Sequence, residues 1–205
     1  MIARQADTKT RILDAAEKLF GKNGFDATSL RDITTEADVN LAAVNYHFQS
    51  KDSLIDAVIA RRIEPLNKER LQMLDSAGEN PNIEQILVAF LAPVLNQDLT
   101  EVFEFMARVM ATPDMFLKRV FKTHLLSIVE HFTEAIERAL PGLSRSEIFW
   151  RLQFTGGAMA HVLSRSHLVA EVERQMGVAL TADRSTVLAR LVTFCAAGFR
   201  APEGI

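Results

Sequence analysis

Cysteine is almost missing from this chain. One residue, Cys195, cannot close an intramolecular disulfide. The fold must therefore be held by packing, a reducing compartment is expected, and the thiol reads most simply as a small core side chain. Tyrosine and tryptophan are as scarce, one of each against thirteen Phe. Rings without a polar handle line a core, a pocket or an apolar interface. Nine Gly and six Pro in 205 residues leave few breaks in the pattern. No apolar run approaches the roughly 20 residues of a membrane span. The opening MIARQADTKTR has no apolar stretch of the secretory kind. A soluble cytoplasmic protein without a membrane partner is expected. Charge of one sign is lacking too: the net charge of −3 announces no nucleic-acid partner in bulk. There is no Gly-rich phosphate loop, no CxxC or HExxH spacing, and no Ser/His/Asp set tied by a known motif. The reading is therefore not an enzyme, with no catalytic residue, no metal site and no cofactor.

What is present is helical period. The chain is 48% hydrophobic and 24% charged, which excludes disorder as its main state. Nearly every segment repeats apolar residues at three and four, and no run alternates like a strand, so the fold class is all-α. Residues from about Thr8 to Gly24 carry Ile12, Ala15, Ala16, Leu19 and Phe20 on one face, with Gly24 placed for a left-handed end. Thr28 precedes a short run with Leu30, Ile33 and Ala37 in phase. Asn40 precedes another with Leu41, Val44 and Phe48 in phase, and Ser50 is placed to cap a third. Pro65 inside the next pattern predicts a kink or restart, and SAGENPN, Ser76 to Asn82, is the clearest break. Further helices are expected from Ile83 to about Asn96, Leu99 to Ala111, about Pro113 to Leu140, Ser144 to about His167 and about Asp183 to Phe199.

Two short helices joined by a turn of three or four residues, as in TSLRDITTEADVNLAAVNYHF, make a helix-turn-helix. The second helix of such a pair lies in the DNA major groove and turns its outer face to the bases. With Leu41, Val44 and Phe48 inward, Ala42 and Ala43 let the backbone approach closely, and Asn45 suits an adenine edge. Tyr46 and His47 stand where phosphate contacts belong, Thr28 and Asn40 sit at helix N-termini, and Lys51 lies just beyond. Charge pulls the other way, with seven basic against nine acidic residues in the first 56. Short helix pairs are common in all-α proteins, so spacing alone leaves DNA binding and a plain helical module both open.

Residues from about Thr8 to Ile59 resemble the N-terminal domain of the TetR family of transcriptional repressors. The likeness rests on ILDAA..LF...G, then TS...I...A.V, then YHF.SK..L, in that order and with the family's gaps. It implies an N-terminal three-helix DNA-binding domain at 1–52 and a larger helical ligand-binding and dimerisation domain at 53–205. It implies a homodimer on a palindromic double-stranded operator, acting as a repressor that a small ligand releases. Carried over, Thr28, Asn40, Tyr46, His47 and Lys51 take phosphates, while Ala42, Ala43 and Asn45 face bases. The chain departs from the family at Asp38, where Gly is frequent, and at Asn40, where Ser or Thr is frequent. The alternative is a helical ligand-binding module that has lost DNA binding, and the intact YHFQSK argues against it.

The second half is read from its own residues. Gly156 and Gly157 in mid-helix cost about 1 kcal/mol each relative to Ala, which close approach of another helix, in the core or across a dimer, would offset. The last helix is apolar on most sides, through Val187, Leu188, Leu191, Val192, Phe194, Cys195 and Phe199, so the last two long helices are the expected dimer interface. Abundant Phe and Met between them and the N-terminal domain point to an adaptable apolar cavity. Its expected lining is Phe90, Phe103, Met106, Met110, Phe116, Phe121, His124 and Phe132. The effector would be small and apolar, fatty-acyl-like or aromatic.

Overall fold

The computed structural model describes residues 2–95, 118–164, 166–179 and 183–203. Among them every regular element is helical. They divide into two compact units, one up to Glu64 together with a stretch ending at Val120, the other holding Pro65 to Leu95 and the chain from Phe121 onward.

The first unit is built from α1 (Ile2–Asn23), α2 (Leu30–Ala37), α3 (Leu41–Phe48) and the start of α4 (Lys51–Ser76). Its core is drawn from the in-phase residues: Ile12, Ala15, Ala16 and Phe20 of α1, Ile33 and Ala37 of α2, Val44 and Phe48 of α3, and Leu54, Ile55, Val58 and Ile59 of α4 are all buried, while Leu19 and Leu30, also in phase, are half-buried. Fully burying each large side chain contributes about 1.5–3 kcal/mol. Gly24 ends α1 at φ +85°, its N–H donating to the Phe20 carbonyl at 2.9 Å, and Phe25 turns back onto Phe20 with ring centroids 5.2 Å apart. The Ser50 hydroxyl caps α4 by accepting from Ser53 N–H at 3.0 Å. Because the first turns of α4 pack with α1–α3, contacts divide the chain at Glu64–Pro65, later than the functional division expected after residue 52. Pro65 neither ends nor restarts α4, which stays helical on both sides of it.

The second unit contains the rest of α4, α5 (Ile83–Leu95), α6 (Leu126–Ala139), α7 (Arg145–Ser164), α8 (Ser166–Met176) and α9 (Arg184–Arg200). α9 packs on α5 and α7, and α6 lies against α5 and α7. α8 was not expected as a separate helix; the run anticipated to His167 instead stops at Ser164. A π-helical turn, Phe121–Leu125, precedes α6 where an unbroken α-helix was expected. The apolar spacing there is four, four, three, four and four from Leu117 to Ile136. Repeated fours lag behind an α-helix, and a wider turn absorbs the lag. Beyond it Ile128, Phe132 and Ile136 are all buried.

One side chain closes the end of α9. Arg151 of α7 is 7% exposed. Its Nη1 is shared among the carbonyls of Gly198, Phe199 and Ala201, each at 2.8 Å, while Nη2 donates to Pro202 and Nε to Glu147. The last carbonyls of a helix have no partners of their own, and a cation there also complements the helix dipole. Removing this guanidinium strands the buried Phe199 carbonyl and the part-buried carbonyls beside it, at a cost of about 3 kcal/mol. Arg151→Met is expected to lose that much in urea denaturation, and a loss below about 1 kcal/mol would show that solvent replaces the cap.

Candidate nucleic-acid interface and effector pocket

α2 and α3 are held apart and aimed by their ends. Ser29 caps α2: its hydroxyl accepts from Asp32 N–H at 3.2 Å, and the Asp32 carboxylate accepts from Ser29 N–H at 2.8 Å and from the Ser29 hydroxyl at 2.7 Å. These bonds, the hydroxyl's first and the amide's second, hold the Asp32 carboxyl below its ordinary range. Asn40 caps α3 through Oδ1, which accepts from Ala43 N–H at 2.9 Å. Between them Asp38 adopts the left-handed conformation, φ 50° and ψ 55°. Arg11 reaches across from α1, its Nη2 donating to the carbonyls of Ala37 at 2.6 Å and Asp38 at 2.8 Å and to the Asp38 carboxylate at 3.2 Å. A turn that glycine would take freely is here fixed by a cation on the orphan carbonyls.

With Val44 and Phe48 buried, the outer face of α3 is Leu41, Ala42, Asn45 and Tyr46, all exposed, Tyr46 by 71%. Ala43 is half-buried, and so is His47, whose ring lies between those of Tyr46 and Phe48 at 5.1 and 6.1 Å. Lys51 begins α4, with Nζ 3.5 Å from the Asp26 carbonyl. Two expectations are corrected. Leu41 does not join the core; at 44% exposed it extends the outer stripe. Thr28 is not placed to take a phosphate. It is wholly buried, and its hydroxyl donates to the carbonyls of Gly24 at 2.8 Å and Leu19 at 3.3 Å, closing the turn after α1. The exposed cap, Ser29, is one residue later, and "TS" in sequence does not say which hydroxyl turns inward.

The acidic residues of this unit are largely spent on its own cations. Lys18 pairs with Glu36, Arg61 with Asp14, Arg62 with Glu17, Arg11 with Asp38, and Arg119 with Asp52 and Asp56. Arg31 stands exposed on α2 with no ion pair among the described residues, a cation that motif reading passed over.

α3 ends in a strained junction. Gln49 has φ 63° and ψ −39°, and Ser50 N–H donates back to the Phe48 carbonyl at 2.6 Å, which closes a γ-turn about Gln49.

Of the expected effector contacts, Phe103, Met106, Met110 and Phe116 lie outside the described residues. Phe90, Phe121, His124 and Phe132 belong to the second unit. Phe90 and Phe132 meet edge to face at 5.2 Å, Phe132 buried and Phe90 half-buried. Phe121 and His124 are half-buried in the π turn. The signal that sequence reading missed is Arg70. It is 7% exposed, and its guanidinium lies 4.4 Å over the Phe90 ring. Burial lowers its pKa to about 10, so it remains a cation at neutral pH. An open cleft of about 520 Å³ lies elsewhere in this unit, lined by Glu69, Met73, Gln85 and Val88 among others, and none of the expected contacts borders it.

Two family models match the chain. Residues 12–58 fit the model described as bacterial regulatory proteins, tetR family, and residues 87–198 fit the Tetracyclin repressor-like, C-terminal domain. The probable HTH-type transcriptional regulator YttP of Bacillus subtilis is 25% identical over 60% of this chain and 59% of its own length. The HTH-type nicotine-responsive transcriptional repressor HdnoR of Paenarthrobacter nicotinovorans is 28% identical over 48% of this chain and 52% of its own. These curated relatives are therefore matched over little more than half their lengths. The fatty acid degradation regulator FadR of Bacillus halodurans shares the fold, with a TM-score of 0.68, 14% identity and coverage of 95% of this chain and 97% of that one.

Two local predictions follow from the ends of the short helices. The Asp32 carboxyl titrates lower folded than unfolded. Its share of stability is therefore present above the unfolded value of about 4 and is lost as pH falls through the folded one. Urea midpoints of wild type and Asp32→Ala should differ by a constant amount above about pH 5 and converge below it; parallel curves throughout would remove the capping role. Gln49→Gly should raise stability by about 1 kcal/mol by releasing the positive-φ strain, and Gln49→Val should lower it. No gain on glycine would mean that the γ-turn is not strained in solution.

Proposed function

The chain belongs to the TetR family of bacterial transcriptional regulators, and from that premise we propose that it represses transcription as a homodimer on a palindromic operator, released by a small apolar effector. The observation that supports DNA reading is the stripe of Leu41, Ala42, Asn45 and Tyr46 on a helix capped at its start and seated by Val44 and Phe48. Asn45 would read an adenine edge, and Leu41, Ala42 and Ala43 would meet thymine methyls. Asn40, Tyr46, His47 and Lys51, with the exposed Ser29 and Arg31 of α2, would take phosphates. Few cations face each half-site, so this reading predicts a shallow dependence of DNA binding on salt.

Dimerisation is proposed through α7 and α9. Trp150 and Phe154 stack on α7 at 6.0 Å and are 54% and 67% exposed, Phe149 is 39% exposed, and Phe194 on α9 is 72% exposed. Gly157 continues the exposed face, and a Cβ at either glycine of the pair would meet nothing within 4 Å. No close approach among the described residues accounts for Gly156 and Gly157, which favours the partner alternative. For the effector, the aromatic cluster of Phe90 and Phe132 supports an apolar body. Among the described residues no helix is long and apolar enough to cross a membrane, in keeping with a regulator that meets DNA directly.

The test is a fluorescence-anisotropy titration against the DNA flanking the protein's own gene, with unrelated DNA as competitor. Wild type should bind saturably and resist the competitor. Asn45→Ala should weaken binding about 10-fold or more, the worth of one good base contact. Its melting curve should not move, since the side chain is exposed. Equal binding by wild type and variant would sink the assignment of α3 as the reading helix.

A further inference from the structure

Among the described residues Arg70 is a buried cation without an anion. Nε donates to the Phe90 carbonyl at 2.9 Å and Nη1 to Asn67 Oδ1 at 3.2 Å, and no carboxylate pairs with it among the described residues. A guanidinium carries five N–H donors in a planar fork. Among the described residues two are used, and three remain on a side chain that is 7% exposed. The Phe90 ring at 4.4 Å offsets part of the desolvation cost, but a ring face accepts no in-plane N–H bond. Burying a charge without a partner of opposite sign is among the most costly arrangements a fold can hold.

The residues around it belong to the expected effector site. Asn67, which accepts from Arg70, donates through Nδ2 to the His124 carbonyl at 2.8 Å, so one amide ties the guanidinium to the π turn. His124 Nε2 is itself buried and has no hydrogen-bond partner among the described residues. Phe90 lies under the guanidinium and meets Phe132 edge to face. A cation with spare donors, a second unpaired polar nitrogen and two packed rings thus sit along one run of contacts through α4, α5, the π turn and α6, all within one unit. A purely structural tether between α4 and α5 needs only the bond to Phe90. It leaves the spare fork and the idle imidazole nitrogen without a role.

We propose that Arg70 is the head-group site of the effector pocket, and that the effector is an amphiphilic carboxylate: an apolar body against Phe90 and Phe132, with its anionic end forked on Arg70 and within reach of His124. The inference rests on the apolar-effector reading and adds a charge to it. A carboxylate matches the guanidinium fork in two parallel bonds, which lysine cannot reproduce.

The experiment uses the full-length protein and two matched probe pairs, dodecanoate with dodecan-1-ol and naphthalene-2-carboxylate with naphthalene-2-methanol. Binding is followed by calorimetry and by release of operator DNA. In wild type the carboxylate of at least one pair should bind ten-fold or more tighter than its alcohol. Arg70→Met should bring that ratio close to one, and Arg70→Lys should keep only part of it. If acid and alcohol bind wild type equally, or if the preference survives in Arg70→Met, the head-group assignment is overturned while the apolar pocket stands. If neither member of either pair binds, the apolar pocket falls and the assignment with it. Should Arg70→Met fail to fold, the acid-to-alcohol ratio in wild type and in Arg70→Lys still decides the matter.

Discussion

Arg11 sits on the first helix and donates to the last carbonyls of the second, and the geometry of the helix-turn-helix hangs on those bonds. The turn of such a motif has to reverse direction within a few residues, and it does so here through a left-handed residue. Glycine would take that conformation without steric cost, but Asp38 carries a Cβ and a charge. The guanidinium answers both. It fills the acceptors that α2 cannot satisfy internally, and it draws in the carboxylate at 3.2 Å. The ion pair itself contributes little, because the Asp38 side chain is fully exposed. The carbonyl bonds hold the turn. Ser29 fixes the start of α2 and Asn40 the start of α3, so both short helices are defined by their ends rather than by length. Eight-residue helices need this, since nucleation costs more than so few internal bonds return.

The same economy explains how a net-acidic segment can face DNA. Net charge counts groups, whereas a phosphate responds to the field where it sits, and that field falls away within about 8–10 Å at ordinary salt. Asp14, Glu17, Glu36, Asp38, Asp52 and Asp56 each have a cation of their own unit beside them. What remains to set the local field near α3 is a handful of helix N-termini with Arg31 and Lys51, against the exposed carboxylates of Asp26 and Asp32. The count of charges in the sequence therefore overstates how acidic the first unit is to a phosphate, because most of its carboxylates already lie beside a cation.

Much of this architecture was legible from period and punctuation. Buried positions recur at three and four in α1, α2 and α4, and Gly24, Asn40 and Ser50 announce their ends by residue type alone. Where sequence reasoning failed, the information lay in three dimensions. Thr28 and Ser29 are chemically near twins, and only the packing of the α1–α2 turn decides which one is buried. Leu41 is in phase with Val44 and Phe48, yet the first turn of α3 overhangs the core, so phase without depth misplaces it. The π turn was visible only as a faint drift in spacing. Arg70 gave no signal at all, because a lone arginine in a helix full of charged residues reads as solvated. Its interest lies entirely in being 7% exposed beside Phe90.

The glycine pair in α7 completes the account of what the chain cannot satisfy by itself. Two adjacent glycines in a helix interior cost about 2 kcal/mol against alanine. Such a cost is commonly offset by a neighbouring helix pressed against the bare backbone, but among the described residues nothing lies within 4 Å of the space either side chain would fill. On the same helix Trp150 and Phe154 stack in the open, and Phe194 projects from α9. Single exposed apolar residues are ordinary on any protein surface, but several large rings continuous with a bare backbone form a patch of the kind that marks an interaction surface. An exposed ring patch and unfilled glycines are separate costs, and a helix from outside the chain lying along α7, as proposed for the dimer, would be one remedy for both. One surface contact would then offset both.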